Sequence, residues 1–415
     1  MLTYYFKDSR TLEQLSSGPA GFYLDGFANN LHLDGYASNT ARRYIRAAVH
    51  LGLWADTANC VIEDLREESL ASFARHLPCC TCNRASKDKS PDIIIGAKHF
   101  FYYLGGVGVI RLEKNECPQS PCMQLFEDFC KWMKQHRGVT DRTLEIYRPA
   151  VVDLLNNLGD KPSQYQVQDI RCFFFERLKK GGKGKGKNTA SALRMFLRFL
   201  NVEGLCTADL HKGIPRLANW RLSSLPRYLP SADVERIINT CDTSTSIGIR
   251  DRAILLLLAR LGLRGGDIAT LKLNDINWQE GSIRFLGKGR YENRLPLPQE
   301  VGDAILKYLQ NGRPSINDEH VFIRIIAPLR AFDSGSTVSR IVAKAIGKAG
   351  ISSPSLGAHV LRHSAATAML RQGISLNDIA AILRHRSIET TAHYAKVDLA
   401  LLCEIAQPWP EVKPC

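Results

Sequence analysis

The 415-residue sequence contains no long hydrophobic run. Its longest apolar stretch, Ala253 to Leu263, is interrupted by Arg260 and falls far short of the roughly 20 apolar residues that a membrane-spanning helix needs. The opening MLTYYFKDSR has no basic start followed by an apolar segment, so no signal peptide is expected and the cytosol is the expected compartment. Nor is there a disulfide framework. The 12 cysteines are scattered along the chain and read as free thiols of a reducing compartment. His76, Cys79, Cys80 and Cys82 do lie close together, with Cys117 and Cys122 further on. Cys79 and Cys82 form a single C-x-x-C that no second pair answers at a zinc-site spacing, so thiols in a loop after a helix are expected, and no metal. Acidic residues are also scarce: 41 Asp and Glu stand against 55 Lys and Arg, leaving a net charge of +14. Such an excess favours a polyanionic partner, because each neutralised phosphate releases condensed counterions. An anionic membrane is the rival partner, and the lack of any spanning run counts against it.

The rest of the composition, 45% hydrophobic and 23% charged, is that of an ordinary globular protein, and the length predicts two or three domains. Two stretches read as linkers. Lys114 to Pro121 is polar with two prolines, and Gly213 to Pro230 carries Pro215, Pro226 and Pro230. They predict a helical N-terminal domain over 1–113, a second helical domain over 122–212, a linker over 213–230 and a C-terminal domain over 231–415. The first two share one plan. Phe27 and Leu31 in one, and Phe126, Phe129 and Met133 in the other, open on a helical face. Thr40 to Tyr44 and Thr143 to Tyr147 follow at equal spacing. Ala97 to Val109 then aligns with Leu193 to Leu205, setting Lys98 over Arg194, Phe100 over Phe196, Leu104 over Leu200 and Gly108 over Gly204. Amphipathic helices resemble one another at period 3.6, but agreement across three successive helices favours duplication. Between helices of the second domain lies KKGGKGKGK, read as a flexible cationic loop. Its Lys179, Lys180, Lys183, Lys185 and Lys187 serve either as a solvated surface or as phosphate contacts.

The C-terminal segment is patterned mainly as helix, with two short strands at Gly281 to Leu286 and Asn293 to Leu297 around a glycine-containing turn. A mainly α fold with a small antiparallel β-sheet is expected. Three islands carry reactive residue types: Arg264 with Asp267, His359 with Arg362 three residues on, and His385 followed by Tyr394. Singly, each has a structural explanation: a snorkelling arginine, a helix-capping histidine, a tyrosine packing its ring. Together with the turn lysine Lys288 they form a kit for phosphoryl transfer. Arginine forks meet charge that builds on non-bridging oxygens, and a tyrosine can attack and later leave. No acidic cluster for a two-metal mechanism accompanies them.

These islands resemble the catalytic boxes of the tyrosine recombinase (phage integrase) family, of the lambda-integrase and Xer type. Leu261-Gly262-Leu263-Arg264-Gly265-Gly266-Asp267-Ile268 resembles the first box, and Leu286-Gly287-Lys288-Gly289-Arg290 the hairpin lysine. His359-Val360-Leu361-Arg362-His363 through Thr367 resembles the second, and Leu383-Arg384-His385 through Thr390-Thr391 to Tyr394 the last. The resemblance covers the chain from about Pro230 onward, and the middle segment is similar to the family's helical core-binding domain. It implies that Tyr394 attacks the scissile phosphate, giving a 3′-phosphotyrosine and a free 5′-hydroxyl. Arg264 and Arg362 would clamp the phosphate, Lys288 would protonate the leaving oxygen, His359 would assist proton transfer, His385 would hydrogen-bond the phosphate, and Asp267 would buttress Arg264. It also implies double-stranded DNA as substrate, a DNA-bound tetramer, related recombinases as further partners, and no cofactor.

Three departures from the family pattern stand out. Arg384, with Arg386 after His385, replaces the usual glycine and reads as an added DNA or partner contact. Gly265-Gly266 replaces larger residues and suggests a looser backbone. The N-terminal third is more like a second core-binding unit than a small arm-site domain, suited to flanking DNA or to neighbouring protomers. After Tyr394, Leu399, Leu402, Cys403 and Ala406 form an apolar face for the same domain or a neighbouring subunit. The alternatives to a recombinase of mobile DNA are a type IB topoisomerase and a catalytically silent DNA-binding protein of the same fold.

Overall fold

The computed structural model describes residues 1–80, 82, 92–111, 121–180, 183–206, 210–216, 226–286, 292–385 and 387–396. Lys288, Arg386, Cys117 and the apolar face beyond Tyr394 lie outside them. The chain divides into two compact units, one of Met1–Leu112 with Leu222–Cys415, the other of Glu113–Arg221.

The first unit holds two large separate cores. One is an N-terminal helical bundle built on Phe27, Ile45, Leu51, Phe73, Phe100 and Leu104. The other lies in the C-terminal segment around the helix Ser246–Leu261. The six residues Ala253 to Leu258 of that helix are wholly buried, so this stretch is apolar all round because it is surrounded. Packed on it are the helices Gln299–Asn311 and His359–Arg371. A three-stranded antiparallel sheet completes the segment: β1 (Ile276–Asn277), β2 (Ser282–Leu286) and β3 (Glu292–Pro296), in that order. The two strands read from the sequence are β2 and β3, with Ile283 facing Leu295. The third, β1, pairs Ile276 with Ile283. The bundle meets the C-terminal segment where Leu329 N donates to Asp34 O at 2.9 Å. There the Leu329 side chain lies so close over Gly35 that an added Cβ would sit 2.3 Å from it.

The second unit packs Phe129, Leu154, Phe174, Phe196 and Leu200 into its own core. Its element order repeats that of the N-terminal bundle. After the short helices Leu2–Tyr5 and Ser9–Ser16, the bundle has helices Gly21–Leu33 and Ser38–Thr57, a short 3-10 turn at Ile62–Asp64, then helices Glu67–His76 and Asp92–Gly106. Pro121–Arg137, Asp141–Leu158, the 3-10 turn Pro162–Gln164, Val167–Lys180 and Lys183–Val202 answer them in the second unit. The aligned pairs behave alike. Phe100 and Phe196 are buried, as are Leu104 and Leu200. Gly108 and Gly204 both have positive φ, +77° and +70°. After each, the next amide returns to a buried leucine carbonyl, Val109 N to Leu104 and Leu205 N to Leu200. That geometry ends a helix with a left-handed glycine, which needs no Cβ-compatible conformation.

One expectation is overturned. KKGGKGKGK is not a flexible loop along its described length: Lys179 and Lys180 end one helix, and the next begins at Lys183 and runs through Lys185 and Lys187. Lysine is a good helix former, and Gly184 and Gly186 both fall within that helix's first turn, where the backbone cost is small beside the gain from the long buried face following it.

Candidate active site

The helix Ser246–Leu261 ends at Gly262, whose φ of +58° turns the chain sharply. Leu383 lies against that turn, and a Cβ on Gly262 would sit 2.6 Å from its Cδ2. Arg264 then caps the short helix Gly265–Ala269, with its backbone N–H donating to Asp267 Oδ2 at 3.3 Å. Gly335 packs against Gly265 and Gly266 so closely that a Cβ on it would stand 2.6 Å from Gly266 N, and a Cβ on Gly265 would stand 3.1 Å from the Gly335 carbonyl, so Gly335 and Gly265 permit close approach of two backbones.

Arg362, in the first turn of the helix His359–Arg371, is 4% exposed. Its guanidinium donates to the carbonyls of Gly262 and Leu383, tying the ends of two other elements together. Those bonds offset part of the cost of burying a charge. Burial, then the nearby Arg264, pulls its pKa down to about 10, so it stays cationic at neutral pH. Arg264 Nη2 in turn donates to the Arg384 carbonyl at 3.0 Å.

Arg384 is not a surface contact. Its side chain is 5% exposed, pairs with Asp267, and lies over the Phe285 ring of β2 at 4.6 Å. Its φ of +54° is the left-handed conformation that suits a glycine. The ion pair and the cation–π contact offset that conformational cost. Asp267 thus supports Arg264 through its backbone amide, and its carboxylate pairs with Arg384 rather than with the Arg264 guanidinium.

Tyr394 lies on the helix Ile388–Ala395, 2% exposed, packed with Ala366, Ile379 and Leu383. Its hydroxyl is 2.7 Å from His363 Nδ1. Burial raises the phenol's pKa, and the charge of Arg362 opposes that rise. The sequence reading placed His363 in the second box but assigned a role only to His359 and Arg362 of its helix. Its signal was its position one turn after His359, on the same face. Burial, then His359, lowers the His363 pKa to about 4, leaving a neutral imidazole. His385 is lowered likewise to about 4 by burial and then by Arg362 and Arg264. Its Nδ1 lies 2.7 Å from Thr391 Oγ1, and its ring stacks at 6.5 Å from that of Tyr394. His359, at the exposed edge, is lowered by burial of part of its ring, then by Arg362 and Arg264. Its ring is 6.2 Å from that of His363. The structure therefore brings Arg264, Asp267, His359, Arg362, His385 and Tyr394 together. Lys179, Lys180, Lys183, Lys185 and Lys187 belong to the other unit.

A helical domain with a small antiparallel sheet, gathering two arginines and three histidines around a tyrosine hydroxyl, defines a tyrosine site-specific recombinase. Comparison with known proteins gives the family. The "Phage integrase family" model matches residues 227–400. The putative integrase/recombinase y4rA of Sinorhizobium fredii is 35% identical over 416 residues, covering 99% of each chain. Tyrosine recombinase XerD of Listeria monocytogenes is 31% identical over 288 residues, covering 66% of this chain and 94% of that protein. Among solved structures, a lambda integrase tetramer bound to a Holliday junction shares the fold, with a TM-score of 0.53 at 18% identity over 79% of this chain and 91% of that one. The chain belongs to the phage integrase family.

Proposed function

We propose that the chain cleaves and rejoins double-stranded DNA through a 3′-phosphotyrosine formed by Tyr394, in a DNA-assembled tetramer that moves a mobile element. The observation that carries this reading is the Tyr394 hydroxyl, held 2.7 Å from a neutral histidine nitrogen beside a buried cationic arginine. In the cleavage step the phenol oxygen bonds to phosphorus as the bond to the 5′-oxygen breaks. The phenol proton passes to His363 Nδ1, whose ring is neutral at neutral pH and accepts there in the tautomer with its own proton on Nε2. Arg264 and Arg362 meet the charge on the non-bridging oxygens. His385 hydrogen-bonds the phosphate, and His359, at the exposed edge, relays protons. Lys288 gives its proton to the 5′-oxygen, and Asp267 fixes the turn that presents Arg264. Bond energy stays in the phosphotyrosine, so the reverse attack by a 5′-hydroxyl needs no cofactor.

DNA as substrate is supported by the charge of +14 and by neighbours of the same fold. These include the lambda integrase tetramer on a Holliday junction and the Tn1549 transposon integrase with a circular intermediate DNA. Lys179, Lys180, Lys183, Lys185 and Lys187, around one helix junction, supply phosphate contacts of low sequence specificity. A nicked suicide substrate carrying the element's end tests the reading. The expected result is a covalent protein–DNA complex that is lost in Tyr394→Phe. A complex that persists in that variant, or none at any end of the element, overturns it.

A further inference from the structure

Remote in sequence from the recombinase boxes, four potential metal ligands converge in the N-terminal bundle. His50 comes from the middle of the helix Ser38–Thr57 and His76 from the end of Glu67–His76, while Cys80 and Cys82 follow in the chain beyond. One nitrogen or sulfur atom from each lies within 4.8 Å of all the others. His50 Nε2 is 3.2 Å from Cys80 Sγ, and His76 Nε2 is 3.2 Å from Cys82 Sγ. In a tetrahedron with Zn–S bonds of about 2.3 Å and Zn–N bonds of about 2.0 Å, ligand atoms stand roughly 3.3–3.8 Å apart. The four atoms thus need only small adjustments to surround one ion. His50 is 3% exposed and the other three are half-buried, so the centre is enclosed by protein.

The ligand pair differs from the C-x-x-C read in the sequence. Cys79 is exposed, and its sulfur turns to the carbonyls of Arg75 and His76, at 3.9 and 3.5 Å. Cys122 belongs to the other unit, where its sulfur faces the Leu155 carbonyl. The fourth ligand that sequence spacing could not supply is His50, 26 residues before His76 and brought beside it by helix packing. The rings of Phe73, His50 and His76 meet at that junction, His50 lying 5.2 Å from Phe73 and 5.9 Å from His76.

We propose that His50, His76, Cys80 and Cys82 bind one structural Zn²⁺. Two cysteine thiols give up their protons to solvent as the ion binds, and the resulting pair of thiolates cancels its charge. Four protein ligands leave no open position, so the ion is structural and takes no part in strand transfer. Its mechanical effect is to staple the segment after His76 to the helix Ser38–Thr57. The site does not depend on the role given to Tyr394, and a Tyr394→Phe chain retains it.

The test is zinc content of the full chain, purified reduced from zinc-supplemented cells, by mass spectrometry. About one zinc per chain is expected, falling to roughly a tenth or less in Cys80→Ser/Cys82→Ser and unchanged in Cys79→Ser. Should the double variant fail to fold, cobalt titration of chelator-stripped wild type decides instead. One equivalent should give the intense visible bands of a tetrahedral ion with thiolate-to-metal charge transfer, and zinc should displace it. Wild-type chain without zinc and without that spectrum overturns the proposal. Zinc retained in the double variant, which would place the ion elsewhere, does so too.

Discussion

Arg384 occupies a backbone conformation that costs a side-chain-bearing residue about 1–2 kcal/mol, and it does so inside the site. Removing its side chain abolishes the Asp267 pair and the Phe285 stacking in either Arg384→Gly or Arg384→Ala, but only alanine keeps the conformational cost. The glycine variant should be more stable than the alanine variant by roughly 1 kcal/mol, both falling below wild type, in denaturant unfolding. Equal stabilities would refute the strain argument. A second expectation concerns protons. His363 and His385 have folded pKa values of about 4, below the ordinary 6.5. The unfolded chain therefore binds more protons between those values, and stability falls as pH drops through that window. Melting temperatures of wild type should decline more steeply from pH 6.5 to pH 4 than those of His363→Gln/His385→Gln. Parallel curves would show that these histidines do not titrate as described. The candidate site residues Arg264, His359, Arg362, His385 and Tyr394 could be singled out from residue types and from the resemblance of their islands to the family's boxes, because chemistry limits which side chains suit a phosphate. Partners across the fold could not. That Asp267 meets Arg384, or that His50 meets Cys80, depends on packing between segments remote in sequence.

Helices and turns carried the clearest signals where burial enforces a period. The repeated plan of the two helical units could be read from aligned phenylalanines and leucines because core faces tolerate few substitutions. The paired glycines turn that likeness into a measurement. No atom lies within 4 Å of a Cβ placed on Gly108 or Gly204, so an alanine there pays only for its left-handed backbone. Gly108→Ala and Gly204→Ala should each destabilise their own bundle by about 1 kcal/mol, read as similar shifts in denaturant midpoint. A large effect in one and none in the other would break the equivalence. Two elements escaped the sequence. β1 has two residues, too few for any alternation to register. The lysine-glycine stretch has the composition of a linker, yet a long apolar face on the C-terminal side of it draws the helix start back to Lys183.

Across the whole molecule the positive excess should appear as steep salt dependence of DNA binding. Replacing Lys179, Lys180, Lys183, Lys185 and Lys187 by glutamine should weaken binding at low salt and flatten the plot of log affinity against log salt, by roughly one unit of slope for each phosphate no longer neutralised. An unchanged slope would assign those lysines to solvent. Composition made that charge plain, and two proline-bearing stretches marked where helical patterning breaks. Neither revealed that the N-terminal bundle meets the C-terminal segment at Leu329 and Asp34, since one backbone hydrogen bond leaves no trace in residue type. The pairing of Asp267 with Arg384 bears on how such a protein drifts over generations. Either substitution alone strands a charge in a protected site, a loss that selection sees at once. Lineages that exchange this pair for the plainer glycine turn must therefore cross a weakened intermediate or change both codons together, and the two positions should vary as one character.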